Sequence, residues 1–375
     1  MINRLLKTEL IEKLTHSQKI IIIYGARQVG KTTLVKQVLE ELPYKTLAIN
    51  ADENKYIDVL SSRDLSKMRL LIDGYELLFI DEAQQIPDIG LNLKILHDAL
   101  PNLKIIVTGS SAFELANRTQ ESLTGRTWTF SLFPIAYTEL RQEQNVFDLD
   151  QQLETLLRFG AYPEVFSLSN QADKIQFLNE LTRSYLYKDI LELSTIKYPE
   201  KIKKLLQLLA FQAGSEVSLN ELGNSLQMSK ETVGTYIDLL EKAFVVFRLS
   251  AFGRNLWKEI VKMDKIYFYD LGIRNALINN FNTLDSRNDV GQLWENFLVT
   301  ERFKKNAYQK RFVNSYFWRT YTGAELDYIE EGNGHLAGFE FKYGQKIAKA
   351  PKSWSETYPN SSFQCINRSN YWEFL

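Results

Sequence analysis

Cysteine is nearly missing from this sequence, since Cys365 stands alone among 375 residues. An internal disulfide is therefore excluded, and the composition suits a reducing compartment. Long apolar runs are also missing, because no stretch approaches the roughly 18 apolar residues that a membrane-spanning helix needs. The first residues carry charges throughout and lack the apolar stretch of a signal peptide. We expect a cytoplasmic protein that does not span a membrane.

A large net charge is absent as well, because 45 Lys and Arg residues nearly balance 46 Asp and Glu residues. The net charge of −1 gives no whole-chain argument for nucleic acid or an anionic membrane, so such a partner would have to meet a local patch. Apolar residues, in contrast, make up 45% of the chain, which is typical of a globular protein. The length of 375 residues predicts roughly two to four domains.

The most specific pattern in the chain lies at residues 25–32, which fit the phosphate-binding template G-x-x-x-x-G-K-[ST] at every fixed position. The apolar run Ile20–Ile23 precedes it as a buried strand would, and residues 33–40 follow with helical spacing. A strand, a glycine-containing loop and a helix start would gather backbone N–H groups around one anion, whereas the alternative is a chance turn. The predicted nucleotide-binding residues are Gly25, Ala26, Arg27, Gln28, Val29, Gly30, Lys31, Thr32, Thr33 and Thr108.

The chemistry of a nucleoside triphosphate site is predicted for four of the side chains near this loop. Lys31 is expected to reach the β- and γ-phosphates, and the Thr32 hydroxyl to bind Mg²⁺. A later apolar strand, residues 76–82, ends in Asp81 and Glu82, and such strand ends form the ligand-binding edge of an open α/β sheet. Asp81 is predicted to hold Mg²⁺ through water, and Glu82 to orient or deprotonate the attacking water. Two solvated acids at the start of a loop are the alternative.

Another apolar strand, residues 104–107, is followed by small polar side chains. Thr108 or Ser110 could position the water or contact the γ-phosphate, or could cap the next helix. An arginine near the γ-phosphate would neutralise the charge that develops during transfer. Arg118 and Arg126 are candidates, and we favour Arg126 as a catalytic residue, acting within its own chain or on a neighbour's nucleotide in an oligomer. Surface solvation is the alternative for either arginine.

Four motifs, taken in order, carry a resemblance to a known family. They are residues 25–32, the sequence Phe-Ile-Asp-Glu-Ala-Gln at 79–84, Thr-Gly-Ser-Ser at 108–111, and Gly125-Arg126 with Phe133-Pro134. The chain resembles the prokaryotic AAA-type ATPases whose C-terminal half carries a domain of unknown function. That resemblance implies an ATPase with an additional strand between the two nucleotide motifs and an acidic water-activating residue, here Glu82. It leaves the physiological role open.

The middle of the chain favours helices, after a polar boundary near residues 142–152. Residues 218–226 and 230–243 are typical of two helices at a tight turn, and residues 244–249 and 265–269 of paired strands. This order predicts a winged helix. DNA is then one candidate partner, although the second helix is slightly acidic, which favours a spacer or protein-docking role.

The family resemblance implies a small helical lid that packs near the nucleotide, and two arginines of this region are candidates for it. Arg158 and Arg183 could each touch a phosphate there, and a position at the protein surface is the alternative that we favour for both.

The last third of the chain contains a second constellation of charged residues. The spacing from Asp327 to Glu340, then to Lys342, resembles the PD-(D/E)XK nuclease core, in which two acids bind Mg²⁺ and a lysine orients the attacking water. Alternation places Glu340 and Lys342 on one face of a strand, and Glu295 on a preceding helix could supply a further ligand. No proline precedes Asp327, so the sequence departs from the family motif. The alternative is a degenerate core that docks partners.

The sequence thus predicts an α/β protein: a P-loop NTPase parallel sheet covered by helices, a helical and winged-helix segment, and an α/β nuclease-like C-terminal domain. The predicted domain boundaries are 1–140, 141–255 and 256–375. We expect an ATP-binding protein that hydrolyses ATP with Mg²⁺ and couples this to a nuclease-like or partner-docking C-terminal domain. The alternatives are a nucleotide-dependent binding switch with little turnover and an ATP-gated DNA nuclease. DNA, a protein partner and assembly into a homo-oligomer all stay open.

Overall fold

The structure is a computed structural model that describes residues 2–110, 123–184, 198–253 and 263–375. The chain divides into two compact units. The first unit consists of Met1–Pro134 with Lys242–Phe244, and the second of Ile135–Glu241 with Val245–Leu375.

The first unit is built on five parallel strands. They are β1 (Ile20–Tyr24), β2 (Thr46–Asn50), β3 (Leu77–Asp81), β4 (Lys104–Gly109) and β5 (Thr127–Ser131). Their order across the sheet is β2-β3-β4-β1-β5, and every neighbouring pair runs parallel. Strand β4 therefore lies between β1 and β3, which is the additional strand that the family resemblance implies.

Helices cover this parallel sheet. They are α1 (Leu6–His16), α2 (Lys31–Glu40), α3 (Asn54–Leu60), α4 (Leu65–Ile72) and α5 (Ile89–Ala99). All five residues of β1, four isoleucines and Tyr24, are buried because helices pack on both faces of a central parallel strand. One continuous apolar cluster joins alternate residues of the strands to the helices, with Leu60, Met68 and Leu93 among its fully buried members. The sheet is thus a rigid platform whose carboxyl edge positions the loops that follow β1, β3 and β4.

The second unit contains both helices and strands. Its helices are α6 (Tyr137–Leu140), α7 (Val146–Phe159), α8 (Pro163–Ser167), α9 (Gln171–Ser184), α10 (Pro199–Phe211), α11 (Leu219–Leu226), α12 (Lys230–Lys242), α13 (Leu271–Leu277), α14 (Val290–Tyr308), α15 (Lys352–Thr357) and α16 (Tyr371–Phe374). Its strands are β6 (Glu216–Val217), β7 (Val246–Ala251), β8 (Asp264–Phe268), β9 (Asn314–Arg319), β10 (Glu325–Gly332), β11 (His335–Phe341) and β12 (Ser362–Ile366).

These strands form one seven-stranded sheet in the order β12-β11-β10-β9-β7-β8-β6. Strands β7 and β8 pair antiparallel, as the predicted hairpin requires, and β7 also joins β9 through Ser250 and Ala251. The same sheet therefore contains strands from both sides of the predicted boundary at residue 255. The α/β fold class with an N-terminal P-loop sheet is confirmed, whereas the three domain boundaries stay a prediction. Within the described residues, no helix is both long and apolar enough to cross a membrane.

Candidate functional site

The loop between β1 and α2 has the backbone that its glycines predict. Gly30 has a φ of +95°, in the left-handed region that glycine adopts without strain. Gly25 is required for a different reason, because a Cβ there would lie 2.2 Å from the carbonyl oxygen of Leu132. Helix α2 begins directly after Gly30, which has no side chain to cap the first N–H groups. The positive end of that helix is therefore aimed at the space inside the loop.

Lys31 lies inside this loop. Its residue is only 5% exposed, and its Nζ donates to the carbonyl oxygens of Gly25 at 2.9 Å and Ala26 at 3.0 Å. The ammonium group is thus held against the loop backbone, beside the amides of the α2 start. Arg27 and Gln28, at the tip of the loop, are exposed.

Asp81 is hydrogen-bonded to two other predicted side chains at the carboxyl edge of the sheet. Thr32 donates from Oγ1 to Asp81 Oδ2 at 2.7 Å, and Thr108 donates to the other carboxylate oxygen. The three side chains come from the α2 start, the end of β3 and β4, and only the parallel pairing brings them together. A carboxylate and two hydroxyls are hard oxygen donors of the kind that Mg²⁺ prefers.

Glu82 adopts an unusual backbone conformation for a residue other than glycine, with a φ of +52°. Such strain of about 1–3 kcal/mol persists mainly where surrounding contacts fix it, as at functional sites. The Glu82 N–H donates to Thr108 Oγ1 at 3.3 Å, and Gln84 donates from Nε2 to Glu82 Oε2 at 2.5 Å. The same Nε2 also donates to Ser110 at 3.0 Å. Glu82 is therefore positioned next to Asp81 by contacts from two strand ends.

Arg126 lies elsewhere in the first unit. It precedes β5, which runs parallel to β1 with Thr127 beside Ile20, so Arg126 is at the amino edge of the sheet. The phosphate loop follows β1 at the carboxyl edge, roughly 15 Å away along the strand. Arg126 contacts Asp98 through Nε at 2.8 Å and through a second nitrogen at 3.1 Å, and this lowers the pKa of Asp98 to about 2. The structure does not bring Arg126 to the loop of its own chain, and Arg118 lies outside the described residues.

Arg4 is a site residue that the sequence reasoning missed. It is 6% exposed and donates to the carbonyl oxygen of Val29, inside the phosphate loop, at 2.8 Å. Its other terminal nitrogen donates to the carbonyl oxygen of Phe133 at 2.6 Å. Only tertiary structure places this N-terminal arginine at the loop, since it is 25 residues from Val29 and 129 from Phe133.

The second constellation also converges, within the second unit. The register of β10 and β11, with Tyr328 beside Phe339, places Asp327 next to Glu340. Phe341 donates its N–H to Asp327 Oδ2 at 2.7 Å, and Lys342 donates to Glu340 Oε1 at 2.6 Å. The pKa of Asp327 is raised to about 7, first by burial and then by the nearby carboxylate of Glu295. Burial and Asp327 likewise raise the pKa of Glu340.

Two further members of this cluster were not predicted. Lys265 on β8 donates to Glu295 Oε1 at 2.9 Å, and Tyr267 donates its hydroxyl to the same oxygen at 2.7 Å. Burial alone would lower the pKa of Lys265, but Glu295 and Asp327 outweigh it and raise that pKa. Lys265 and Tyr267 are two residues apart on one strand and so share a face, a signal that the sequence contained. Within the parts of the chain that the structure describes, no three His, Cys, Asp or Glu residues are placed to hold a metal ion.

A bulge explains how Asp327 reaches this cluster. The pairing of β10 with β9 shifts register between Leu326 and Ile329, and both of these residues lie in the same apolar cluster. Regular alternation would put residues three apart on opposite faces, so the bulge changes the direction of the side chains between them. Asp327 is thereby buried on the side of Lys265 and Glu295, at 7% exposure.

The remaining predicted residues take roles within the second unit. Arg158 is not a surface residue, because it is 8% exposed and donates twice to the carbonyl oxygen of Phe281. Arg183 is exposed. The acidic residues Asp238 and Glu241 of α12 both pair with Arg248 on β7. The helix pair and hairpin have the order of a winged helix, and DNA binding by them stays a prediction.

Three family models match successive parts of the chain. Residues 17–141 match the AAA domain, residues 150–284 match the domain of unknown function DUF8612, and residues 290–367 match the domain of unknown function DUF4143. An uncharacterized protein of Mycobacterium tuberculosis is 27% identical over 337 residues, which are 88% of this chain and 72% of that protein. An uncharacterized protein of Methanocaldococcus jannaschii is 26% identical over 321 residues, 80% of this chain and 69% of the relative.

A solved structure, the Walker-type ATPase of Pyrococcus abyssi, covers 74% of this chain and 96% of its own, with a TM-score of 0.51. At 16% sequence identity, this likeness concerns the fold. The findings therefore support an AAA-type ATPase domain with the P-loop fold at residues 17–141, followed by two regions that match families of unknown function.

Proposed function

We propose that this chain binds ATP together with Mg²⁺ at the loop of residues 25–33 and hydrolyses it. One observation carries the proposal: Lys31, Thr32, Asp81 and Glu82 lie together at the carboxyl edge of a P-loop sheet. Backbone N–H groups of the loop would hold phosphate oxygens, and Lys31 would exchange its two carbonyl contacts for them. The triphosphate is thus bound by amides and one ammonium group.

The residues present fit a magnesium ion. Thr32 Oγ1 and Asp81 Oδ2 are 2.7 Å apart, and Thr108 holds the second Asp81 oxygen, so a fixed set of oxygen donors faces the loop. Thr32 would bind the ion directly and Asp81 through water. When bound, Mg²⁺ neutralises charge on the phosphate oxygens during transfer. The contacts of Asp81 with Thr32 and Thr108 would hold the oxygen donors of such a site in place.

Glu82 is the residue that we assign to the attacking water. Its backbone is left-handed and donates an N–H to Thr108, and Gln84 holds its carboxylate by donating to Oε2. Gln84 Oε1 is buried, and among the described residues it has no hydrogen-bond partner, although such groups are normally paired. A water held between Glu82 and Gln84 would satisfy that oxygen. Glu82 would then accept a proton from this water as the water attacks the γ-phosphate.

The test measures ATP binding by calorimetry and ATP turnover for two variants. Lys31→Ala should abolish both binding and turnover, because the only ammonium group inside the described loop is removed. Glu82→Gln should keep binding and lower turnover by about 10²–10⁴-fold, as expected for loss of a general base. Lys36→Ala and Glu53→Gln, which change exposed residues of the same unit, are the matched controls. Parental binding in Lys31→Ala would refute the proposal.

A binding switch with little turnover is the rival within the same site. It predicts that the parent and Glu82→Gln hydrolyse ATP equally slowly while both bind it. Arg126 can act in either scheme only on the nucleotide of a neighbouring chain, since it lies at the far edge of its own sheet. That role requires a homo-oligomer, so a mass measurement with and without ATP is the companion experiment.

The second unit is proposed to couple nucleotide turnover to a partner, which is a protein or DNA. An ATP-gated DNA nuclease is the alternative, favoured by the convergence of Asp327, Glu340 and Lys342. Incubation of DNA with the chain, ATP and Mg²⁺ separates the two. Cleavage that Asp327→Ala removes would establish the nuclease, and intact DNA and RNA under all conditions would exclude it.

A further inference from the structure

Three carboxylates of the second unit face two lysines in a largely buried cluster. The carboxylates belong to Glu295 on α14, Asp327 on β10 and Glu340 on β11. Lys342 pairs with Glu340, and Lys265 pairs with Glu295. A nuclease of the kind that the sequence resembles would instead need a divalent cation between its acids.

Lys265 is held in the cluster from several sides. It is 6% exposed, its Nζ lies 2.9 Å from Glu295 Oε1, and the ring of Phe317 lies 5.4 Å away. Tyr267 donates to the same carboxylate oxygen, so Glu295 has two donors on one atom. An ammonium group that is buried and paired in this way is costly to remove from its partner.

The surroundings leave Glu295 little room to turn toward another cation. Gly214 lies so near that a Cβ on it would be 3.3 Å from the carboxylate carbon of Glu295 and 3.5 Å from the ring of Tyr267. Asp327 is also committed, because one of its oxygens accepts from the N–H of Phe341. Lys265 lies within electrostatic reach of both Glu295 and Asp327.

A divalent cation at this position would meet a positive charge that is already there. Magnesium requires near-octahedral oxygen ligands at about 2.0–2.1 Å, and Lys265 takes one of the carboxylates that would provide them. Charges of the same sign a few ångströms apart in a poorly solvated site repel strongly. In the described part of the chain, these acids do not form a group with metal-binding geometry.

We infer that Lys265 takes the place of the divalent cation, so that Glu295 of this nuclease-like cluster is paired with a side chain of the protein and the cluster binds no catalytic metal. The hydrogen bonds and ion pairs of the cluster then hold β8, α14 and the β10–β11 pair together. This inference concerns the second unit and does not depend on ATP hydrolysis by the first.

The test is Mn²⁺ binding to the full chain without nucleotide, measured by electron paramagnetic resonance. Lys265→Met removes the ammonium group with little change in side-chain length, and should gain one Mn²⁺ per chain, bound at least about tenfold more tightly than any at this cluster in the parent. Adding Asp327→Asn should abolish the gain. Lys265→Arg keeps the charge and should gain none.

A comparison of the parent with Asp327→Asn needs no change at Lys265 and decides the question even if Lys265→Met does not fold. Equal Mn²⁺ binding by these two proteins supports the inference. A Mn²⁺ ion that the parent binds and Asp327→Asn loses would overturn it. Failure of a Lys265→Met protein with a parental circular dichroism spectrum to gain Mn²⁺ would overturn it as well.

Discussion

At the scale of single residues, the Arg4 side chain holds the phosphate loop in addition to the loop's own glycines. Arg4 connects the carbonyl oxygens of Val29 and Phe133, so one buried guanidinium joins the loop to the segment after β5. That segment is also the reason for Gly25, because the carbonyl oxygen of Leu132 lies where a Cβ would be. Loop, β5 and the N-terminal segment therefore constrain one another.

Arg4→Ala is expected to lower the free energy of unfolding by on the order of 3 kcal/mol, since two buried carbonyls lose a charged donor. We also expect the KM for ATP to rise about tenfold, because Val29 is no longer held, while turnover at saturating ATP changes less. Steady-state kinetics and urea unfolding measure the two effects.

Arg4→Lys provides the distinguishing variant for this prediction. A lysine can keep one of the two contacts, so the KM of Arg4→Lys should lie between that of the parent and that of Arg4→Ala. Arg63→Ala, which removes an exposed arginine paired with Asp88, is the control. A normal KM in a folded Arg4→Ala protein would contradict a positioning role.

At the scale of the elements, the N-terminus of α14 lies beside a cluster of buried charges. Asp289 precedes it and accepts from Arg274 at 2.5 Å and from Arg287 at 2.7 Å, and both guanidinium side chains are almost fully buried. Burial alone would raise the pKa of Asp289, but hydrogen bonds from Arg287 and Arg274 outweigh it and lower the pKa to about 2. One carboxylate thus pairs with two buried cations at the start of the helix that carries Glu295.

Asp289→Asn should lower the free energy of unfolding of the second unit by about 3–5 kcal/mol, because two buried guanidiniums lose their counter-charge. The depressed pKa means that Asp289 stabilises the fold above its unfolded pKa of about 3.9 and that this contribution is lost as the pH falls toward 2. Urea unfolding at pH 7 and at pH 3 measures both.

Asp98→Asn is the matched control for that experiment, because it removes a carboxylate from an exposed pair with Arg126. It should change stability little at pH 7, since solvent screens such pairs. If Asp289→Asn were as mild as Asp98→Asn, the pairing of Asp289 with both arginines would not stabilise the fold.

At the scale of the whole molecule, the proposed nucleotide site and the buried charged cluster belong to different units. Lys31, Thr32, Asp81 and Glu82, the residues of the proposed nucleotide site, belong to the first unit, and the Lys265–Glu295 cluster belongs to the second. The three family models follow the same order along the chain, with the AAA domain first. A ligand that binds at one of these sites should therefore change the stability of the unit that contains it.

Hydrogen exchange of the full chain with ATP and Mg²⁺ should slow most in residues 25–33 and at the ends of β1 and β3. A ligand at 100 times its Kd adds about 2.7 kcal/mol to the stability of the unit that binds it, or about 100-fold in exchange that requires unfolding of that unit. Lys31→Ala should lose this protection. Slowing confined to the second unit would contradict nucleotide binding at the loop.

Local sequence patterns were sufficient where the chain itself supplies the geometry. The phosphate loop, the apolar strand that ends at Asp81, and the α/β class follow from spacing and periodicity over short stretches. The paired strands β7 and β8 were predicted in the same way, with ends that differ by a few residues. Arg126 shows the limit of such patterns, because proximity along the chain does not say at which edge of a sheet a residue lies.

The amino-acid sequence by itself determined which segments become strands and helices and which loop has the backbone freedom to hold a phosphate, because those properties depend on neighbours in the chain. Only the tertiary structure decided that Arg4 holds Val29, that Arg126 lies away from the loop, and that Lys265 neutralises Glu295. Each of these depends on how strands and helices pack together, which brings residues that are distant in the chain to one place. Long-range charge pairing leaves no periodic trace in a single sequence.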